Sequence, residues 1–380
     1  MAYGPDTENL LKAIEEYTRK GSSTLNLTSF TLTSLPPLPT NIKSLVCDLT
    51  GLPVLQDLPE GLEELYLYGT RIVSLPPLPS TLRILECSYT PLTALPELPR
   101  GLLELTCTSC RLTSLPLLPE TLNVLICSGN PIASLPPLPS TLRTLSIYNT
   151  QISSLPSLPP PLMFLSCNNT LISELPELPV RLLRLYCKNT GIVSLPQLPG
   201  NLEQLECGNT SVSMLPPLPN TLKVLRMQTT QIRTIPPLPE QLIFLECSNT
   251  PIQSLPDLPH SLQWIDCSHT SIATLPDLPL NIHFLNIANT LITRLPPFPS
   301  GLFSLDTLLV ENTPLLLKKE MNEKIYDYNL RWEELRSKER IQARTKELWE
   351  DLIPAAWHPE RFERWCLDEE EKKETEEMCA

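Results

Sequence analysis

Apolar and polar positions along the chain recur with a period of 20 residues, without a gap, over residues 21–300. In the copy at 81–100, TLRILECSYTPLTALPELPR, Leu82, Leu85 and Cys87 alternate with polar neighbours. The general form is x-L-x-x-L-x-C-x-x-T-x-I-x-S-L-P-x-L-P-x. A fixed period of this size is the signature of a solenoid in which each unit buries its apolar face against the next. The alternation predicts a short strand with one buried face, carried by Leu82, Leu85 and Cys87. The two prolines that follow remove donors and fix φ, so the return path is expected to be extended or polyproline-like. Twenty residues leave no room for a strand, two turns and a full helix. The 43 prolines are therefore a structural column and not a disordered low-complexity tract.

The ends break this pattern. Residues 1–20 read as a capping helix, with Asp6 or Thr7 as N-cap and an apolar stripe at Leu10, Leu11, Ile14 and Tyr17. The fifteenth repeat keeps frame only if three residues are inserted, which places Leu308, Val310 and Thr313 on the pattern. Residues 317–380 are expected to form a helical C-terminal cap followed by an acidic run. The expected division is thus 1–20, 21–316 and 317–380, with helical caps at both ends of about fifteen repeats.

Two columns carry candidate chemistry. Nine of the 12 cysteines share the seventh position: Cys47, Cys87, Cys107, Cys127, Cys167, Cys187, Cys207, Cys247 and Cys267. Leucine, isoleucine or methionine fills that position elsewhere, so the cysteines are expected to be small buried hydrophobes. Metal binding needs converging ligands, and Cys107-x-x-Cys110 has nothing nearby to complete it. In-register thiols point the same way, which suits disulfides poorly. A hydroxyl recurs at the tenth position, as at Thr90, Thr150 and Thr210, where it can satisfy backbone groups as the chain leaves the strand. The PxxP segments are read as structure and not as exposed bait, because their intervening leucine is expected in the core. The histidines His260, His269, His283 and His358 converge on no catalytic arrangement.

The units resemble leucine-rich repeats, whose usual motif is LxxLxLxxN, and most of all the short LPxLP subtype of bacterial effectors. The resemblance spans roughly 290 residues and implies a curved leucine-rich repeat solenoid, with strands on its concave side. Thr stands where that family usually has Asn, Asn130 excepted. Asn often comes one residue earlier, as at Asn149, Asn169 and Asn189. A second resemblance lies in the tail: Trp357, His358, Pro359, Arg361, Phe362, Trp365 and Cys366 are similar to a C-terminal string of giant DNA virus proteins. It implies a viral source. Ligases of the LPxLP group carry a catalytic cysteine in C-x-D, which Cys366-Leu367-Asp368 resembles. The separate helical domain of those ligases has no room here, and DEEE follows at once.

The net charge of −13 argues against nucleic acid or an anionic membrane as partner. So many unpaired thiols fit a reducing compartment, and the first residues lack the basic-then-apolar pattern of a secretory signal. No catalytic or metal constellation emerges, and no cofactor is implied. The expected function is non-enzymatic binding of a protein or peptide on the concave face by a monomeric, cytoplasmic chain. A ligase using Cys366 and a structural virion component are the alternatives. The candidate partner-binding residues are the outward fourth and sixth positions of four consecutive repeats: Val224 and Arg226, Phe244 and Glu246, Trp264 and Asp266, Phe284 and Asn286. Exposed aromatics in a row are costly unless covered, and aromatics dominate interface hot spots.

Overall fold

The structure is a computed structural model that describes residues 6–296 and 307–317. The helix α1 (Thr7–Lys20) opens the chain. Asp6 occupies its N-cap, but its carboxylate does not cap the helix. Instead Asp6 Oδ2 accepts the Thr31 backbone N–H at 2.6 Å, tying the helix start to the first repeat. Leu10 and Tyr17 are buried, whereas Leu11 is exposed. Lys20 is followed by Gly21 at φ 62°, the left-handed conformation that ends helices and costs glycine nothing.

Fifteen three-residue strands then stack in chain order into one parallel sheet. They run from β1 (Thr24–Asn26) to β15 (Thr307–Leu309). Those used below are β4 (Ile84–Glu86), β5 (Glu104–Thr106), β8 (Phe164–Ser166), β9 (Arg184–Tyr186), β10 (Gln204–Glu206), β11 (Val224–Arg226), β12 (Phe244–Glu246), β13 (Trp264–Asp266) and β14 (Phe284–Asn286). Each residue pairs with the one 20 later, as Thr144 does with Phe164. The last step is 23, Phe284 to Thr307, so the three-residue insertion lies where the pattern required it. Leu308, Val310 and Thr313 are all buried.

Columns two, five, seven and twelve form the spine. Leu82, Leu85, Cys87 and Leu92 are 0% exposed, and so are the other eight column-seven cysteines. Burial pushes the Cys127 and Cys167 thiols up to about 12, keeping them protonated at neutral pH.

Two turns close each repeat. The first begins at the second proline: Leu82 N–H donates to Pro79 O at 3.0 Å, and Leu102 N–H to Pro99 O at 3.1 Å. The second follows the strand, where the ninth residue adopts positive φ. Asn149, Asn169, Asn189, Asn209, Asn249 and Asn289 all have φ of 52–57°. Asparagine tolerates this conformation better than other side-chain-bearing residues, which explains why it precedes the threonine column.

The threonines act as their column implied. Thr90 Oγ1 donates to Cys87 O at 2.6 Å and Thr210 Oγ1 to Cys207 O at 2.6 Å. Asn130 does more, because its Nδ2 also reaches Cys107 O of the preceding repeat at 2.8 Å and its Oδ1 accepts Leu112 N–H at 3.1 Å.

Among the described residues the return path contains no α-helix, and its one helical turn is the 3-10 segment Pro314–Leu317 after β15. The core expectation for the PxxP leucines needs correction. Leu98, Leu198 and Leu278 are buried, but most of that column is half-buried. An extended return lays down one thin layer with nothing outside it. The expected helical cap and acidic tail of 317–380, including the C-x-D and the WHPERFERWC string, lie almost wholly outside the described residues.

Candidate functional site

Parallel in-register pairing aligns Val224, Phe244, Trp264 and Phe284 as neighbours across β11 to β14. The rings pile face to face. Phe244 and Trp264 have centroids 5.4 Å apart at 11°, and Trp264 and Phe284 are 3.6 Å apart at 5°. The Arg226 guanidinium sits 4.7 Å from the Phe244 centroid, a cation–π contact that closes the stack at one end.

This geometry corrects the expectation of an exposed row. Val224, Phe244 and Arg226 are buried, and only Trp264 and Phe284 remain half-exposed. Strands about 4.8 Å apart bring planar side chains close to stacking distance, so each ring covers its neighbour's face and leaves chiefly edges to solvent.

The sixth-position row is likewise engaged. Arg226 Nε lies 3.6 Å from Glu246 Oε2. Burial raises the Glu246 carboxyl above its usual range, with Arg226 opposing and Asp266 and Glu206 reinforcing. Asp266 Oδ1 accepts both the backbone N–H and the hydroxyl of Ser268, at 3.0 and 2.7 Å, and its Oδ2 accepts Asn286 Nδ2 at 3.0 Å. Asn286 Oδ1 in turn accepts Ala288 N–H at 3.1 Å. The carboxylates therefore organise the rim of the stack.

A second part of the same face escaped the column reading. Phe164 on β8 meets Tyr186 on β9 edge to face, with centroids 5.4 Å apart. Tyr186 Oη donates to Gln204 Oε1 on β10, and burial pushes its phenol up to about 12. Arg184 is buried beside them. These contacts are diagonal, running from the fourth position of one strand to the sixth of another, whereas a repeat column displays only same-position neighbours. The face from β8 to β14 thus carries two groups of aromatic and charged side chains, one around Phe164, Arg184 and Tyr186 and one from Arg226 to Phe284, with Gln204 and Val224 between them. Among the described residues no group of His, Cys, Asp and Glu is arranged to hold a metal ion. None of their helices is long and apolar enough to cross a membrane.

A succession of short parallel strands in chain order with a leucine spine and an extended return defines a leucine-rich repeat solenoid, and the chain belongs to the leucine-rich repeat family. It is similar to YopM, a leucine-rich effector protein from Yersinia pestis, at 30% identity and a TM-score of 0.76, covering 82% of this chain and 90% of that one. InlJ from Listeria monocytogenes, whose functional domain includes a cysteine ladder, shares the fold at 23% identity and a TM-score of 0.60, covering 77% of this chain and 63% of that one. The leucine-rich ectodomain of the Arabidopsis thaliana receptor kinase GASSHO1/SCHENGEN3, solved with CASPARIAN STRIP INTEGRITY FACTOR 2, shares it at 20% identity and a TM-score of 0.55, covering 76% and 41%. No protein-family profile matches the chain, and no curated protein sequence does either.

Proposed function

We propose that the chain is a non-enzymatic recognition scaffold that binds a protein or peptide on its concave face, with Trp264 and Phe284 as the contact edge. The single observation behind this reading is the stack Phe244–Trp264–Phe284, closed by Arg226 at one end and left half-exposed at the other. A preformed rigid aromatic shelf loses little conformational entropy when a partner docks. Val224, Phe244, Arg226 and Glu246 support the shelf from behind, while Asp266 and Asn286 hold its rim. The face is acidic at Glu206, Glu246 and Asp266, which favours a partner carrying apolar anchors beside Lys or Arg. The likeness to a leucine-rich effector supports a scaffold role. The WHPERFERWC string supports a giant-virus source, and ten free cysteines among the described residues support action in a reducing cytoplasm.

The test is selection of displayed peptides on the full chain, followed by titration of the selected peptides against Trp264→Ala. Trp264→Ala is expected to weaken binding by about 2 kcal/mol or more while circular dichroism stays unchanged. Unchanged affinity, or peptides lacking both apolar and basic residues, would overturn the reading.

A further inference from the structure

Cys107-x-x-Cys110 is a motif that the recognition surface leaves unused. Its two thiols behave differently. Cys107 belongs to the seventh column and is 0% exposed. Cys110 stands at the tenth position, where neighbouring repeats carry Thr90 and Asn130, and is 7% exposed. Among the described cysteines it alone reaches solvent. The ninth-position residues beside it are small, Ser109 and Gly129.

Cys110 also approaches its neighbours from outside the column. Its Sγ lies 3.2 Å from Cys87 O and 3.3 Å from Thr90 Oγ1, while the Cys87 thiol donates to Thr106 O at 3.6 Å. Thiols stacked within the seventh column point in parallel, which opposes bond formation between them. The tenth-position thiol meets Cys87 across the strand end, free of that constraint. The residue with which it pairs is therefore in the preceding repeat and not its CxxC partner.

We propose that Cys110 is a thiol-exchange site for low-molecular-weight disulfides, with Cys87 as the resolving thiol. In the first step the Cys110 thiolate attacks a small disulfide R–S–S–R. A Cys110 Sγ–S bond forms, the S–S bond of the reagent breaks, and the departing thiolate takes a proton. In the second step the buried Cys87 thiol, held well above its ordinary pKa, gives its proton to the departing small thiolate as its Sγ attacks Cys110 Sγ and closes a Cys87–Cys110 bond. Two protein thiols are oxidised and one small disulfide is reduced to two thiols. Protons from Cys87 and Cys110 balance those taken up by the leaving groups. The surroundings suit the first step: the neighbouring Cys87, helped by Thr90 and opposed by burial, lowers the Cys110 thiol to about 7. The product joins the repeats of β4 and β5 covalently, beyond the backbone and side-chain hydrogen bonds they already share.

The experiment treats the folded full-length chain with oxidised glutathione, alkylates the remaining thiols, and maps peptides without reduction. Cleavage after Arg83, Arg100 and Arg111 places Cys87 on peptide 84–100 and both Cys107 and Cys110 on peptide 101–111. The proposal expects these two peptides to be cross-linked through Cys87 and Cys110. Cys87→Leu, which restores a residue found in that column, should trap a single glutathione adduct on Cys110. Cys110→Thr, which restores the common tenth residue, should abolish both products while circular dichroism stays unchanged. A link confined within peptide 101–111, a lasting adduct on wild-type Cys110 without the cross-link, or no product at Cys110 when the denatured chain reacts throughout, would each overturn it.

Discussion

At the residue scale, each repeated position answers one local demand, and substitutions separate those demands. Cys187 is fully buried in an apolar column. Cys187→Ser places a hydroxyl with no built partner there and is expected to destabilise by about 1–3 kcal/mol in chemical denaturation. Cys187→Val should cost clearly less. Asn189, at φ 54°, meets a different demand, that of the left-handed region. Its Nδ2 also donates to Asn169 Oδ1 at 2.5 Å, part of a side-chain ladder along the turn. Asn189→Val adds a β-branched side chain to a strained backbone and loses that bond, so its melting temperature should fall well below that of Asn189→Gly. Equal melting temperatures would show that the turn is set by the ladder and not by the backbone.

At the element scale, the strands are too short to stand alone, and the hydrogen bonds at their ends decide how well neighbouring repeats grip. Thr at the tenth position bonds within its own repeat, whereas Asn130 also bonds to the repeat before it. Asn130→Thr keeps the local bond and gives up the crossing ones, for an expected loss of about 1–2 kcal/mol by denaturant titration. The reciprocal change Thr150→Asn should be tolerated or stabilising, since Ile132 and Gln151 already place the two backbones in contact at 2.9 Å. Hydroxyls at the first position add a second clasp. Thr121 Oγ1 lies 2.9 Å from Arg100 O and 2.7 Å from Leu102 O, spanning the junction of two repeats. Neither clasp costs a residue of the spine.

At the scale of the whole molecule, stability is the sum of near-identical units and their interfaces. Removing residues 141–160 deletes one whole period and rejoins Ser140 to Pro161 in frame. The shortened chain should fold, with the same circular dichroism per residue and a modestly lower melting temperature. Removing Thr144 alone shifts every later residue of its strand to the opposite face and should disrupt the neighbouring repeats. Similar melting curves for the two deletions would contradict the one-dimensional account. Fifteen strands spaced by about 4.8 Å give a sheet on the order of 70 Å from first strand to last.

The period, the strand positions, the spine and the inserted triplet ahead of Leu308 were legible in the sequence by itself. The reason is physical: every strand pairs with the residue one period away, so a column in the alignment of repeats is also a row in space. The same logic placed Phe244, Trp264 and Phe284 side by side. It did not place side chains that meet between columns. The closing of ring faces in the aromatic stack, the Tyr186–Gln204 bond, the tie from Asp6 to Thr31, and the approach of Cys110 to Cys87 all depend on rotamers and on the turn geometry after each strand. Asn at the ninth position was visible as a letter, but its purpose emerged only with the sign of φ. Tertiary structure also decided that the leucines between the prolines are mostly half-buried, because an extended return path leaves no outer layer to cover them.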